Sequence, residues 1–376
     1  MKVLMVITSL GMGGAEKIVT TLADQLVGLD HEVKIAYLTG EALVVPKNKC
    51  ISLINLEINS FGSLTNGYLK LRKLIDEFKP DVVHSHLVHA NILCRTLRLS
   101  KTMPKLISSA HNTDEEGWTR FLAYRLTDKL TDISTNVSDA AVEAFIEKKA
   151  VRRGRMLTLY NGISTTQFVF SSQARSDIRR ELGITDDQQL ILAVGRLNEQ
   201  KDYPNLLSAI SEISDKYKNI KLVIVGDGPQ LNKLKDKVKL LGLNNKVKFL
   251  GLRSDIPSLM SAADIFTLSS ASEGFGLVVA EAMACSRVVV ATDCGGVKEV
   301  VGNAGFLVPS KDSQKLAASL ELALNLSDYE CLQLGIKARQ RVVDLYSLPA
   351  AVKKWLHLYS SPINDLTTPF KNGRQR

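Results

Sequence analysis

A chain of 376 residues is long enough for two domains, and its 45% hydrophobic and 23% charged content is that of a soluble globular protein. The formal net charge of +9 favours anionic partners, whether phosphorylated ligands, nucleic acid or an acidic membrane, while 6% aromatic content argues against a base-stacking platform for nucleic acid. Cys50, Cys94, Cys285, Cys294 and Cys331 form no C-x-x-C pair, which indicates neither a zinc knuckle nor a disulfide framework and fits reduced thiols in the cytosol.

The start, Met1-Lys2 followed by Val3-Leu4-Met5-Val6-Ile7, reads as a first β-strand. It is short, lacks a small-x-small cleavage site and runs directly into an amphipathic helix, unlike a signal peptide. No apolar stretch reaches the ~18 residues needed to cross a bilayer. The first half then alternates strands (2–7, 32–38, 82–85, 105–109, 132–137, 156–159) with helices (15–28, 68–77, 90–99, 118–127, 138–147). A polar stretch without periodicity, 164–175, reads as a linker. A second alternation follows, with strands at 190–194, 221–225, 247–250, 265–268, 288–291 and 305–308, and helices at 205–216, 230–241, 256–262, 277–285, 313–325 and 330–345. Such alternation predicts an α/β protein with two parallel sheets and right-handed crossovers. The expected domains are 1–165 and 172–345, with an amphipathic helix at 350–359 inside a C-terminal segment, 346–376, that packs back on the first domain and ends in a mobile tail from Ser361.

Open parallel sheets bind ligands beyond the carboxyl ends of their strands, so the residues there carry the functional argument. The first strand is followed by Gly11-Met12-Gly13-Gly14-Ala15-Glu16, either a tight turn or a loop whose N–H groups approach a phosphate. An NAD fingerprint would need an acid about 20 residues on; the nearest candidate, Glu41, comes too late. His84, His86 and His89 cluster after the third strand, and His84 and His86 share one face at strand spacing. Metal binding, a cleft lining and a structural role all remain open for them. His111, at the end of the strand 105–109, can donate a hydrogen bond to a sugar hydroxyl or serve as an ordinary loop histidine.

In the second half, Gly195-Arg196 and Lys201 place two cations at a strand mouth, a pairing suited to a diphosphate: a guanidinium fork and an ammonium point charge. Val225-Gly226-Asp227-Gly228-Pro229 gives a sharp turn. The most informative segment is 269–285. Glu273 lies in a loop, Gly274 and Gly276 turn the chain into a helix beginning near Leu277, and Glu281 sits one turn inside. Free N–H groups at that helix start can meet phosphate or sugar oxygens. Glu281 can accept bonds from a ribose diol, and Glu273 can hold a sugar hydroxyl and stabilise positive charge at an anomeric carbon. Asp293-Cys294-Gly295-Gly296 forms a second glycine turn, and Glu299 either caps the next helix or fixes that loop.

These motifs resemble the retaining glycosyltransferases of family 4, of the bacterial polysaccharide and lipid-linked glycan type, over nearly the whole chain. The marks are Gly13-Gly14-Ala15-Glu16, Pro80-Asp81-Val82-Val83-His84-Ser85-His86, Tyr160-Asn161-Gly162-Ile163, Gly195-Arg196-Leu197 with Gln200-Lys201, Gly226-Asp227-Gly228-Pro229, Phe249-Leu250-Gly251 and the E-x7-E pair Glu273 and Glu281. Ser164 stands where an Asp is common, and Ser286 and Val288 where Gly and Pro are.

The resemblance implies a GT-B fold, two Rossmann-like domains facing across a cleft, the first binding acceptor and the second a nucleotide-diphosphate sugar. It implies that Arg196 and Lys201 bind the diphosphate and that Glu281 holds the ribose. Glu273, with the backbone of Phe275, Gly276 and Leu277, would orient the sugar. Gly13 and Gly14 would cover the phosphates, His111 would sit near the transferred sugar, and the loop from Gly251 to Arg253, with Gly226 nearby, would meet the nucleotide. The implied catalytic set is Glu273, His111, Arg196 and Lys201. No D-x-D occurs, so neither a metal nor any other cofactor is expected. The expected co-substrates are a UDP-linked hexose or N-acetylhexosamine and a glycan or lipid-diphosphate-linked acceptor, with no nucleic acid. Another GT-B activity, such as a nucleotide-sugar epimerase, and an NAD-dependent enzyme are the alternatives. Arg95, Arg98, Lys101 and Lys105, on and beyond a helix with Ile92, Leu93 and Leu97, and then Lys148, Lys149, Arg152, Arg153 and Arg155, suggest a basic amphipathic face for an anionic membrane. The expected location is cytoplasmic, at the inner face of the plasma membrane.

Overall fold

The computed structural model describes residues 1–115 and 117–362. They form two compact units, one of Met1–Gly162 plus the chain from Pro349, the other of Ile163–Leu348. The mobile tail expected from Ser361 lies, beyond residue 362, outside the described residues.

The first unit holds strands β1 (Lys2–Ile7), β2 (Glu32–Tyr37), β3 (Ser52–Asn55), β4 (Val82–His86), β5 (Lys105–Ser109), β6 (Ile133–Asn136) and β7 (Met156–Thr158), in the order β3-β2-β1-β4-β5-β6-β7. Every neighbouring pair is parallel. Helices α1 (Gly14–Val27), α2 (Leu64–Phe78), α3 (Val88–Leu97), α4 (Trp118–Thr127) and α5 (Asp139–Glu147) make the crossovers. The unbroken apolar run Val3–Ile7 is fully buried, as a central parallel strand covered on both faces requires.

The second unit opens with α6 (Ser172–Leu182). It contains β8 (Gln189–Val194), α7 (Tyr203–Ser214), β9 (Ile220–Val225), α8 (Leu231–Leu240), β10 (Val247–Phe249), α9 (Ile256–Ala262), β11 (Ile265–Leu268), α10 (Leu277–Ala284), β12 (Val288–Asp293), α11 (Val297–Val301), β13 (Phe306–Pro309), α12 (Ser313–Leu324) and α13 (Asp328–Tyr346). Its sheet order, β10-β9-β8-β11-β12-β13, is that of a dinucleotide-binding Rossmann domain, with the switch point between β8 and β11. Polar caps set several helix starts: Ser327 and Glu330 form a reciprocal capping box on α13, and Ser138 accepts from Ala141 N–H at 3.1 Å on α5.

The last helix, α14 (Leu348–Ser360), returns to the first unit. Lys105 Nζ donates to the carbonyls of Leu358 (3.1 Å) and Tyr359 (2.8 Å), satisfying the helix C-terminus. Tyr359 OH bonds His84 Nδ1 at 2.8 Å, and the Trp355 ring lies 4.5 Å from that of His84.

Three sequence expectations change. The edge strand β3 was unforeseen: four residues, only two of them aliphatic, leave no alternation to read. The 164–175 linker ends in α6, whose Ser171 cap accepts from Ala174 N–H at 3.2 Å. This polar helix is anchored by an arginine. Buried Arg179 reaches Asp264 at 3.2 Å and donates to the carbonyls of Thr185 and Gln188 at 2.7 and 2.6 Å. Third, the basic face expected over residues 91–99 is not a surface. Arg95 is fully buried, donating to Ser108 Oγ, Tyr124 O, Thr127 Oγ1 and Ser134 Oγ at 2.9–3.3 Å. Arg98 forks onto Asp132 at 2.8 and 2.7 Å, Lys101 pairs with Asp76, and Lys105 caps α14.

Candidate active site

At the carboxyl ends of β8, β9 and β10 the loops meet backbone to backbone. Leu197 N–H donates to Asp227 O at 2.9 Å, and Gly226 N–H to Gly251 O at 2.8 Å. Gly226 has φ +137°, and a Cβ there would lie 2.0 Å from Gly195 O; one on Gly228 would lie 2.4 Å from Leu197 O. These glycines are required by the approach of neighbouring chain segments, whatever else the loops do.

The β8 loop is then tied to the loop after β11. Ala271 N–H donates to Gln200 O, and Gln200 Nε2 to Ser272 O, both at 2.8 Å; Ser269 Oγ donates to Lys201 O at 2.9 Å. This lacing brings Lys201 to Glu273. Nζ stands 2.5 Å from Oε1, and Ser270 Oγ donates to the same oxygen at 2.7 Å. Glu273 is buried, and the Lys201 stem lies over Gly195, where a Cβ would meet Lys201 Cε at 3.2 Å. Arg196 is exposed at the β8 mouth, without an ion-pair partner among the described residues. The second unit therefore gathers Arg196, Lys201 and Glu273 at one end of its sheet.

Gly276, at φ +86°, opens α10; its tight fit against Val297 (3.0 Å from a Cβ) and its left-handed backbone both favour glycine. Phe275 is buried edge-on against Tyr346, ring centres 5.3 Å apart, which anchors the turn. Leu277 begins the helix and Glu281 lies buried within it. Arg253 is engaged elsewhere: it forks onto Asp255 (2.8 and 2.6 Å) and reaches Glu181 at 2.7 Å, pairings that raise its pKa. The Gly251–Arg253 loop thus presents backbone, with the guanidinium already neutralised.

In the first unit, Gly13 is the extended N-cap of α1 and Gly14 its first residue; a Cβ on Gly13 would strike Glu16 Oε2 at 2.3 Å. The histidines are packed together. His84 and His86 rings stack 3.9 Å apart, as the two-residue strand repeat places them. His84 is held through both nitrogens, by Tyr359 OH and by Ser109 Oγ (2.6 Å), which in turn bonds Thr135 Oγ1 at 2.7 Å. His86 Nδ1 lies 3.1 Å from Nε2 of the half-buried His111. Burial drives His84 and His86 well below the ordinary histidine value, and His111 down to about 4, so all three are neutral at pH 7. His89 is separate, exposed on α3. Among the described residues no group of three or more His, Cys, Asp or Glu could hold a metal ion.

Sequence reasoning missed Ser270, Tyr359 and Trp355. Ser270 was visible as part of the glutamate loop. Tyr359 carries no signal, because its partner is 275 positions away.

The family model described as "Glycosyl transferases group 1" matches residues 174–341, and that described as "Glycosyltransferase Family 4" matches 12–167. The chain belongs to glycosyltransferase family 4. A relative from Campylobacter jejuni, GalNAc-alpha-(1->4)-GalNAc-alpha-(1->3)-diNAcBac-PP-undecaprenol alpha-1,4-N-acetyl-D-galactosaminyltransferase, is 28% identical, covering 97% of this chain and 99% of its own. The N-acetyl-alpha-D-glucosaminyl L-malate synthase of Bacillus anthracis is 24% identical, over 81% and 80%. Among solved structures, Anabaena HepE in complex with UDP and glucose matches with a TM-score of 0.85 at 23% identity, covering 96% of this chain and 100% of that one. The fold is GT-B, and this family 4 member is a glycosyltransferase.

Proposed function

We propose that the protein transfers a hexose or N-acetylhexosamine from a UDP-sugar to a glycan or lipid-diphosphate-linked acceptor in surface polysaccharide synthesis. Anomeric configuration is retained, and no divalent ion or other cofactor takes part. The observation that carries this reading is the Lys201–Glu273–Ser270 cluster, with Arg196 beside it, at the carboxyl ends of β8 and β11. UDP is favoured because the HepE structure holds UDP, and a lipid-linked acceptor because the Campylobacter relative is named for one.

In this reading Arg196, Lys201 and the start of α10 neutralise the donor diphosphate, a role for which cations replace a metal. Glu281 grips the ribose diol, and the 251–253 backbone, with Gly226, faces the nucleotide. Glu273 and the N–H groups near Phe275, Gly276 and Leu277 hold the sugar. Gly13 and Gly14 approach the phosphates, and His111 supplies a donor for a sugar hydroxyl. The bond from anomeric carbon to phosphate oxygen breaks while the acceptor oxygen bonds that carbon from the same face. The acceptor proton passes to the departing phosphate.

A position at the inner face of the plasma membrane is part of the proposal. Among the described residues no helix is long and apolar enough to cross a bilayer. Support comes from α4, not α3. Trp118, Leu122 and Leu126, spaced four apart on one face, are 73%, 40% and 72% exposed, and Lys148, Lys149 and Arg125 lie around Trp118 and Leu122. Flotation with anionic liposomes should lose a Trp118→Ser/Leu126→Ser variant; equal flotation would dismiss the membrane role.

The decisive test of the whole reading joins ligand binding to turnover. Thermal shift with UDP, GDP, NAD and single-stranded DNA should give stabilisation by UDP alone. A screen of sugar donors should then show acceptor-dependent UDP release, unaffected by EDTA. Stabilisation by NAD or DNA instead, or no release from any nucleotide sugar, overturns it.

A further inference from the structure

His86 and His111 share one hydrogen bond between two neutral rings, and the outer nitrogen of His86 decides which ring donates. His86 Nε2 is buried and has no hydrogen-bond partner. If His111 Nε2–H donated to His86 Nδ1, the His86 proton would sit on Nε2, an orphaned N–H inside the protein. If His86 Nδ1–H donates, Nε2 carries only an unused lone pair. Buried donors without partners are the rarer and costlier arrangement.

We infer that His86 is a positioning residue that donates through Nδ1–H to His111 Nε2, so that His111 carries its proton on Nδ1 and presents that N–H as a fixed hydrogen-bond donor. The surroundings hold His86 rigidly enough to do this. Its ring is stacked on His84, which is itself pinned by Tyr359 and Ser109. The next residue, Leu87, sits at φ +70°, a strained conformation for a leucine, and its N–H is bonded to Ser109 O at 3.1 Å. Among the described residues no protein group bonds His111 Nδ1, which leaves that N–H for a ligand oxygen. The assignment of a ligand to His111 rests on the proposed function; the tautomer does not.

The test is imidazole nitrogen NMR on the full chain labelled with 15N-histidine, His111 being assigned by its loss in His111→Asn. In the wild type, Nδ1 of His111 should be the protonated nitrogen at pH 7.5. An asparagine side chain in place of the His86 ring offers an amide N–H where Nδ1 stood, so His86→Asn should keep this tautomer, and His86→Leu should shift His111 toward Nε2–H. Turnover should follow, falling about 100-fold in His86→Leu and staying near wild type in His86→Asn. A wild-type His111 protonated on Nε2 overturns the inference without any variant. A fixed Nδ1–H tautomer combined with unaltered turnover in His111→Ala would uphold it and sink only the sugar-contact role of His111.

Discussion

Lys201 Nζ lies 2.5 Å from Glu273 Oε1, and both side chains are largely shielded from water. The pair gives each group a second function. In the free protein Glu273 neutralises the cation proposed to meet the diphosphate, and Lys201 holds in place the carboxylate proposed to face the sugar. Glu273→Gln removes the charge without the volume. Turnover should fall about 100-fold or more, while UDP binds as tightly as before or more tightly, since the competing carboxylate is gone. Isothermal titration beside a UDP-release assay separates the two effects. Unchanged turnover would remove Glu273 from the chemistry.

Removing Lys201 should act differently. Lys201→Ala leaves a buried carboxylate with Ser270 as its remaining partner, so stability as well as UDP affinity should drop. Breaking a buried pair from one side costs about 3–5 kcal/mol. The double variant Lys201→Met/Glu273→Gln should recover part of the stability and none of the UDP affinity, as read by urea unfolding and titration.

The glycine loops offer a contrast within one unit. Gly226→Ala forces a Cβ to 2.0 Å from Gly195 O at φ +137°, and the β8 and β9 loops must part. A loss of about 3 kcal/mol or more is expected, with loss of UDP binding. Gly251→Ala has the same sign of φ, +66°, but nothing within 4 Å, so only the left-handed backbone opposes it. That should cost about 1–2 kcal/mol. Equal destabilisation in the two would contradict the close approach.

The difference between these glycines was not legible in the sequence, where Gly226 stood in a sharp turn and Gly251 at the head of a loop. What was legible followed from periodicity and from strand ends. Buried aliphatic runs such as Val3–Ile7 announced parallel strands, and Arg196, Lys201 and Glu273 were found because each lies in the segment that follows such a run. What failed was anything set by distant partners. Arg95 read as a surface cation because its neighbours in sequence are amphipathic; its hydroxyl and carbonyl partners come from β5, α4 and β6. The α6 helix was invisible because its buried anchor is Arg179, a residue type that signals solvent.

The contact between α14 and the histidines should be measurable as stability. Tyr359→Phe deletes the hydroxyl bonded to His84 Nδ1 and leaves a buried ring nitrogen unpaired. The cost should be about 1–3 kcal/mol. Trp355→Ala, which removes the ring against His84, should cost more, about 3–5 kcal/mol. Urea unfolding that finds both variants as stable as wild type would show that α14 does not brace this cluster.

Acid should unfold this protein earlier than its carboxylates alone would require. Burial lowers His84, His86 and His111 in the folded state, the last from 6.5 to about 4. Below 6.5 the unfolded chain takes up protons that the native histidines refuse, so the stability they contribute is complete above that pH and drains away as pH falls toward 4. For His111 alone the drop corresponds to about 3 kcal/mol at most. The urea midpoint should be flat from pH 8.5 to 7.5 and fall between 6.5 and 5, above the ordinary carboxylate range. His111→Asn, which cannot titrate, should flatten that slope while leaving some from His84 and His86. A midpoint that rises on acidification through this window would mean that the buried cluster already carries a proton in the native protein.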